Sequence, residues 1–250
     1  PPRQEKNVGN VGDTLKHAPI PGLIAVLRAS CPRIAYFDPF AFALDAPLAP
    51  GVGYPRWRAD LEARCRVRPA YGQLLALQDP LLAAGGAYRC GIGLALDAIE
   101  ADRLCWLLAT ESDPDLRARL ESGLRGMGLS SVLVGGSVLA DADLAPAAIT
   151  AAGVAVQAGE GLFALIDPFT IRGCPWEAAL GGLARALHRG ARAIALAFTY
   201  GDHVWPSDLS PADRLCRVRS IREGPFHLAA YATETVAREV MCLLDGFGWS

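Results

Sequence analysis

Short apolar runs with β-strand character alternate with segments of helical periodicity along most of this chain. The apolar runs that predict strands are residues 33–38, 88–96, 130–138, 162–167, 193–199, 226–231 and 240–244. The segments that predict helices are residues 97–109, 114–126, 144–152 and 176–189. Such alternation is typical of an α/β fold, in which helices cover both faces of a mostly parallel sheet. Ligands of these sheets bind beyond the C-terminal ends of the strands.

The composition indicates one folded domain over residues 1–250. Hydrophobic residues make up 52% of the 250 residues and charged residues 20%, so the chain can bury enough apolar surface to offset its ordering entropy. We expect an N-terminal motif and helices in residues 1–32 and the sheet core in residues 33–250. The longest uncharged stretch, 144–159, contains Pro146 and Gly153 and is too short to span a membrane.

The N-terminal sequence and the cysteines favour a cytoplasmic protein. Residues 1–10 have no apolar core of the kind found in a signal peptide. The seven cysteines include no Cys-x-x-Cys pair, which argues against a zinc site and for reduced thiols. We therefore expect no bound metal.

The last two predicted strands, 226–231 and 240–244, have no helix-length segment between them and are expected to form an antiparallel pair. A mostly parallel seven-stranded sheet with a terminal antiparallel hairpin is the pattern of the Rossmann-like class I methyltransferase fold. This is the predicted fold.

Three carboxylates lie at or just beyond predicted strand ends. Asp38 ends IAYFD, Asp167 ends FALID and Asp97 follows GLAL. Acidic side chains at this edge of a parallel sheet face the ligand crevice, where they can hold a ribose, an amine or a cation. Helix capping is the alternative role, and for Asp97 it is as good an interpretation.

Two segments resemble the RlmJ-type ribosomal RNA adenine methyltransferases, a family of the class I superfamily. Residues 7–17, NVGNVGDTLKH, are similar to the family's opening motif, His-Ala-Gly-Asn-His-Ala-Asp-Val-Leu-Lys-His. Residues 165–169, LIDPF, are similar to its Ile-Asp-Pro-Pro-Tyr motif. The second segment, with Pro175-Trp176-Glu177 after it, is also similar to the three-Cys-motif partner proteins.

The resemblance implies a transferase that uses S-adenosylmethionine (SAM) as methyl donor. It implies that Asp167, with Pro168, Lys16 and His17, forms the catalytic group, in which Asp167 accepts a hydrogen bond from the target amine. It further implies that the cofactor-binding residues are Asn10, Asp13, His17, Asp38 and Asp97, with Asp97 on the ribose.

Three residues are candidates for the substrate pocket. Phe169 and Trp176 lie at and just after the second motif, and His203 follows the fifth predicted strand. An aromatic side chain at the end of such a motif stacks on the substrate in related enzymes, whereas packing into the core is the alternative for Trp176. For His203, a structural or exposed role is the alternative.

Departures from the family motifs leave the chemistry open. The family's cofactor loop has two glycines where this chain has Phe42 and Leu44, and bulky side chains there would obstruct SAM. The expected activity is methylation of an amine or hydroxyl on a small molecule. The alternatives are a non-methylating isomerase or cyclase on the same scaffold, a divergent RNA adenine methyltransferase, and a non-catalytic partner subunit.

The charge balance argues against nucleic acid as a partner. Lys and Arg number 24 against 26 Asp and Glu, a net charge of −2, whereas nucleic-acid-binding domains usually carry a basic excess. Arginine-rich stretches at 56–68 and 214–222 could bind phosphates, but the first is interleaved with acidic residues, as is typical of solvated helix faces. We expect a small-molecule substrate and allow for a homo-oligomer.

Overall fold

Most of the predicted apolar runs form a central sheet in the computed structural model of the chain. The structure describes residues 8–111, 113–129, 132–135, 156–157, 159–167, 176–188, 190–201 and 214–250, without the side chains of 132–135 and 176–179. The strands are β1 Ile34–Asp38, β2 Asp45–Ala46, β3 Tyr88–Arg89, β4 Leu104–Thr110, β5 Val132–Gly135, β6 Gly161–Ile166, β7 Arg192–Tyr200, β8 Cys216–Glu223 and β9 Phe226–Ala232.

The central sheet is mostly parallel and has the order β5-β4-β1-β6-β7-β9-β8. The first five strands of that order run parallel, and β9 is antiparallel to both β7 and β8. Strands β2 and β3 pair separately as a short antiparallel ladder. The chain therefore has an α/β fold, as the alternation of strands and helices predicts.

Helices lie on both faces of this sheet. They are α1 Val11–His17, α2 Ile20–Arg28, α3 Tyr54–Val67, α4 Gly72–Ala83, α5 Gly91–Ile99, α6 Pro114–Gly126, α7 Trp176–Ala186 and α8 Glu234–Phe247, with a 3-10 turn at Pro69–Tyr71. Helix α2 packs against α5 and α8. No helix in the described ranges is both long and apolar enough to cross a bilayer.

The central strands β1 and β6 are buried along their whole length. Alternate side chains of β1 enter the two cores, with Ile34 and Tyr36 on one face and Ala35 and Phe37 on the other. A strand that is covered on both faces reads as a continuous apolar run, which is why these two were predictable.

Two predicted elements between residues 88 and 109 are wrong. The run 88–96 is a two-residue strand followed by α5, and the predicted helix 97–109 contains strand β4. Because α5 buries nearly all of its side chains, its sequence shows no polar face, and a short apolar run does not distinguish a helix from a strand. In β4, contact with β1 overrides the helix preference of its leucines and alanine.

The antiparallel hairpin exists, but it lies one element earlier than predicted. It joins β8 to β9, whereas 240–244 belongs to helix α8, whose buried residues Val236, Val240 and Leu244 recur every fourth position. Strand β8 has the sequence CRVRSIRE and lies at the sheet edge, where charged side chains block further strand pairing. Its polarity concealed it from an analysis based on apolar runs.

The remaining predicted elements agree with the structure where it describes them. Strands near 33–38, 162–167, 193–199 and 226–231 are confirmed, and β5 lies within 130–138. The predicted helix 114–126 is α6, and 176–189 contains α7. The predicted helix 144–152 lies outside the described residues.

Candidate functional site

A cavity of about 510 Å3 opens at the C-terminal ends of β1 and β6. Helix α1, the start of α5, the end of β7 and the start of β9 complete its walls. Its polar lining consists of Asn10, Asp13, Lys16, His17, Asp38 and Asp167. Its aromatic lining consists of Phe40, Phe42, Phe198, Tyr200 and Phe226. The cavity thus brings together six of the predicted site residues.

Asn10 and Asp13 first of all build the start of helix α1. The Asn10 Oδ1 accepts a hydrogen bond of 2.9 Å from the Asp13 backbone N–H, and the Asp13 Oδ2 accepts one of 2.9 Å from the Gly9 N–H. The first bond satisfies an N–H group that a helix start leaves without a partner, and the second ties Asp13 to the residue before the N-cap. Part of the motif is therefore a capping device.

Lys16 joins this cap to the end of β6. Its Nζ donates to the Asp167 Oδ2 and lies 3.0 Å from the Asp13 Oδ1, while only 7% of the residue is exposed. Burial alone would lower the pKa of Lys16, but the two carboxylates outweigh it and raise the pKa well above its usual range. Lys16 is therefore a permanent cation that holds Asp167 in a fixed position.

His17 is buried beside Lys16 and stays neutral. Burial, followed by the charge of Lys16, lowers the pKa of the His17 imidazole to about 3. Its Nδ1 lies 3.0 Å from the Tyr88 hydroxyl, and its ring packs against Gly91, where an added Cβ would lie 3.2 Å from the His17 Nε2. A histidine with this pKa does not donate a proton in catalysis near pH 7, so its contribution is a fixed hydrogen-bonding group.

Asp38 is a buried carboxyl that titrates near neutrality. Burial raises its pKa to about 7, against the opposing effect of hydrogen bonds from the Tyr36 hydroxyl (2.9 Å) and the Phe40 N–H (3.1 Å). The nearby charge of Asp167 raises the pKa further. Asp167 and Asp38 therefore differ, since Lys16 neutralises Asp167 directly whereas the hydrogen-bond donors of Asp38 are neutral.

This difference predicts a pH-dependent stability. In the unfolded chain Asp38 has the ordinary pKa of 3.8, so between about pH 4 and pH 7 the unfolded state releases this proton while the folded state keeps it. The free energy of unfolding should fall across that window by on the order of 1 kcal/mol per pH unit relative to an Asp38→Asn variant. Urea unfolding of both proteins at pH 4.5, 6 and 8 measures it. Parallel pH profiles would contradict the assignment.

Asp97 does not reach the cavity, which corrects its prediction as a ribose-binding residue. It lies within α5, its side chain is 50% exposed, and both of its oxygens accept hydrogen bonds from Arg89 at 2.7 and 2.9 Å. The error follows from the secondary structure, because the segment before Asp97 is a helix and not a strand. Arg89 also pairs with Asp45, so Asp97 belongs to a structural ion-pair group.

Glu111 is the acidic residue that directly follows β4, one of the two strands paired with β1. It comes directly after β4 and is 4% exposed, and its Oε1 accepts a hydrogen bond of 2.7 Å from the Asp113 N–H. The Thr110 hydroxyl donates to the Pro39 carbonyl at 2.6 Å, which ties this strand end to the loop after Asp38. Sequence analysis missed Glu111 because LCWLLAT was assigned to a helix.

The two bulky residues of the predicted cofactor loop lie in different places. Leu44 packs into the core against Gly123 of α6, where an added side chain would collide with it, so it does not obstruct the cavity. Phe42 does line the cavity. The expected obstruction therefore reduces to one side chain.

Four predicted residues cannot be assigned a place in the site. Pro168, Phe169 and His203 lie outside the described residues, and the side chain of Trp176, at the start of α7, lies outside them as well. Among the described residues, no cluster of three or more His, Cys, Asp or Glu side chains is arranged to hold a metal ion.

Solved structures, among them the following three, are similar to this fold, whereas no protein-family model and no curated protein matches the sequence. A Legionella pneumophila protein described by the family model DUF519 has a TM-score of 0.61 at 13% identity, with 96% of this chain and 93% of that chain covered. A Haemophilus influenzae protein with a provisional methylase description has a TM-score of 0.44 at 13% identity, covering 85% and 86%. An Escherichia coli protein provisionally described as a methyltransferase has a TM-score of 0.37 at 17% identity, covering 57% and 71%.

Of these three likenesses, that to the Legionella protein alone exceeds a TM-score of 0.5. At 13% identity it shows a shared fold over nearly the whole of both chains. It carries no conclusion about substrate or activity.

Proposed function

We propose that the chain is a SAM-dependent methyltransferase that acts on an amine or hydroxyl group of a small molecule. The observation that carries this proposal is the buried Lys16 between Asp13 and Asp167, in the same cavity as Asp38. The motif resemblance, in which Asp167 and Lys16 have corresponding residues, supports the same reaction.

The cavity suits SAM in size and in charge. A volume of about 510 Å3 falls within the roughly 300–1,000 Å3 of small-molecule sites. Asp38 would compensate a positive group of the cofactor. Glu111 does not line this cavity, but it follows β4, the strand beside β1, so the cofactor's ribose would have to extend from the cavity to the end of β4 for Glu111 to hold its hydroxyls. When bound, SAM supplies an electrophilic methyl group, and the electron pair of the broken carbon–sulfur bond stays on the sulfur.

Asp167 is the residue that acts on the acceptor in this proposal. Lys16 bonds its Oδ2, and no hydrogen bond from the part of the chain that the structure describes reaches Oδ1, which would accept one from the acceptor N–H or O–H. That bond orients the acceptor lone pair, and Asp167 then takes the proton that the acceptor loses. Lys16 is a positioning residue, because it contacts Asp167 and keeps that carboxylate in place.

A small molecule is favoured over nucleic acid because many arginines of the two basic stretches already have acidic partners. Arg58 pairs with Glu62 at 2.9 Å, Arg64 with Glu223, and Arg219 with Asp245 at 2.6 Å. The charges of these three guanidinium groups are already compensated within the protein. The net charge of −2 agrees with this interpretation.

Calorimetric titration with SAM tests the proposal. We expect saturable binding at the wild-type protein, a loss of affinity of about 10-fold or more in Glu111→Gln, because a charged hydrogen-bond acceptor is removed, and an unchanged Kd in Asp97→Asn. Both variants replace a carboxylate by its amide, one at Glu111, the residue now proposed to bind the ribose, and one at Asp97, the residue no longer assigned that role. Absence of SAM binding at millimolar concentration would overturn the proposal and favour the non-methylating alternative.

A further inference from the structure

An aromatic shelf forms one wall of the cavity and has no part in the chemistry proposed above. It consists of Phe198 and Tyr200 from the end of β7 and Phe226 from the start of β9. The ring centroids of Phe198 and Phe226 are 5.9 Å apart, and those of Tyr200 and Phe226 are 5.6 Å apart. These separations are typical of favourable ring contacts. The ring planes are inclined at 32° and 66°, so the three side chains form one continuous but angled surface.

Within this shelf, one ring already contacts a cation and another is largely exposed. The Lys16 Nζ lies 5.2 Å from the Phe198 ring centroid, so a cation already occupies that ring. Tyr200 is 66% exposed although it lines the cavity. Tyr200 and Phe226 are therefore the rings that remain available to a ligand.

Backbone geometry holds Phe226 in place. A side chain at Gly12 of α1 would lie 2.8 Å from two carbons of the Phe226 ring, which shows how closely the helix backbone approaches it. The Phe226 ring is thus in place before a ligand binds, and less ordering entropy is lost on binding.

The shelf and the acceptor-binding carboxylate adjoin the same group. Lys16 bonds Asp167 and also contacts the ring of Phe198, so a carboxylate and an aromatic surface lie on two sides of one ammonium. A molecule whose acceptor group reaches Asp167 therefore extends across the shelf. The planes of Tyr200 and Phe226 are inclined at 66°, so a flat ring can stack on the face of one of them and contact the other through its edge.

We infer that the acceptor molecule carries a flat conjugated ring that seats on Tyr200 and Phe226, and that its amine or hydroxyl is attached to that ring. The inference rests on the proposed function for the role of the acceptor group. It adds a substrate class, which is aromatic amines and phenols. It also adds Tyr200 and Phe226 as two residues that determine specificity.

The probes that test this inference are 2-naphthol and its saturated counterpart decahydro-2-naphthol, titrated calorimetrically with SAM present and absent. Both are neutral and have the same carbon skeleton and one hydroxyl. We expect 2-naphthol to bind about 10-fold more tightly to the wild-type protein. Because the naphthol hydroxyl is also the better hydrogen-bond donor, the deciding readout is the change of this ratio in the variants.

Phe226→Leu and Tyr200→Leu should each reduce the ratio by about 2- to 10-fold, the range that one ring contact contributes. Tyr200 is so exposed that its substitution leaves the fold intact, and Tyr54→Leu, an aromatic change outside the cavity, should leave the ratio unchanged. A ratio near one in the wild type, or an unchanged ratio in both shelf variants, would overturn the inference.

SAM binding separates this inference from the proposed function. If SAM binds and the ratio does not depend on the shelf, the inference alone fails. If SAM does not bind and the ratio still depends on Tyr200 and Phe226, methyl transfer fails and the aromatic site stands.

Discussion

Replacing Lys16 by Met is expected to lower the free energy of unfolding by about 3 kcal/mol, because it leaves two carboxylates in a buried site without their common cation. For a chain of this length the midpoint of thermal unfolding should fall by roughly 6–12 °C. Met keeps the length and apolar stem of the lysine side chain, so the loss reports the charge. Urea unfolding followed by circular dichroism at pH 7 measures it.

Arg219→Met is the matched control for Lys16→Met. It removes one cation from the Arg219–Asp245 ion pair, whose carboxylate is half exposed and screened by water. Little change in stability is expected there. An equally small change in Lys16→Met would show that Lys16 does not hold Asp13 and Asp167 together.

Replacing Asp167 by Asn is expected to reduce methyl transfer by about 10²- to 10⁴-fold, the usual contribution of a positioned proton acceptor. The amide keeps the shape of the side chain but does not take a proton. The measurement is transfer of labelled methyl groups from SAM to the amines and phenols that the wild-type protein accepts. SAM affinity in the same variant should change by no more than about twofold.

Asp45→Asn provides the comparison for Asp167→Asn. Asp45 pairs with Arg89 away from the cavity, so its substitution should leave turnover unchanged. Full activity in Asp167→Asn would remove Asp167 from the reaction and with it the main role proposed for Lys16.

The parts of the fold that could be predicted are those in which sequence and environment agree. Strands β1 and β6 are covered on both faces and therefore appear as unbroken apolar runs. Strand β8 could not be found in this way, because an edge strand of arginines has no apolar signal. Helix α5 was mistaken for a strand because complete burial removes the polar face that reveals helical periodicity.

The candidate site likewise contains residues that could be predicted from the sequence and residues that could not. Asn10, Asp13, Lys16, His17, Asp38 and Asp167 could be named in advance because a motif or a strand end marks each of them, and the structure brings them to one cavity. Tyr200 and Phe226 could not, since only the antiparallel pairing of β9 with β7 brings them together. Glu111 was missed because the segment that forms strand β4 was assigned to a helix. The strand expected there was placed before Asp97 instead, in the segment that forms helix α5.

The central claim is that SAM binds in the cavity at the C-terminal edge of β1 and β6. Hydrogen exchange measured by mass spectrometry, with and without saturating SAM, tests it most directly, because bound ligand slows the local opening of the amides around it. We expect slower exchange in residues 8–17 and 38–44 when SAM is bound. Unchanged exchange in both segments would contradict SAM binding in this cavity. So would protection confined to the surface cleft between helix α3 and strand β8, around Arg64 and Glu223.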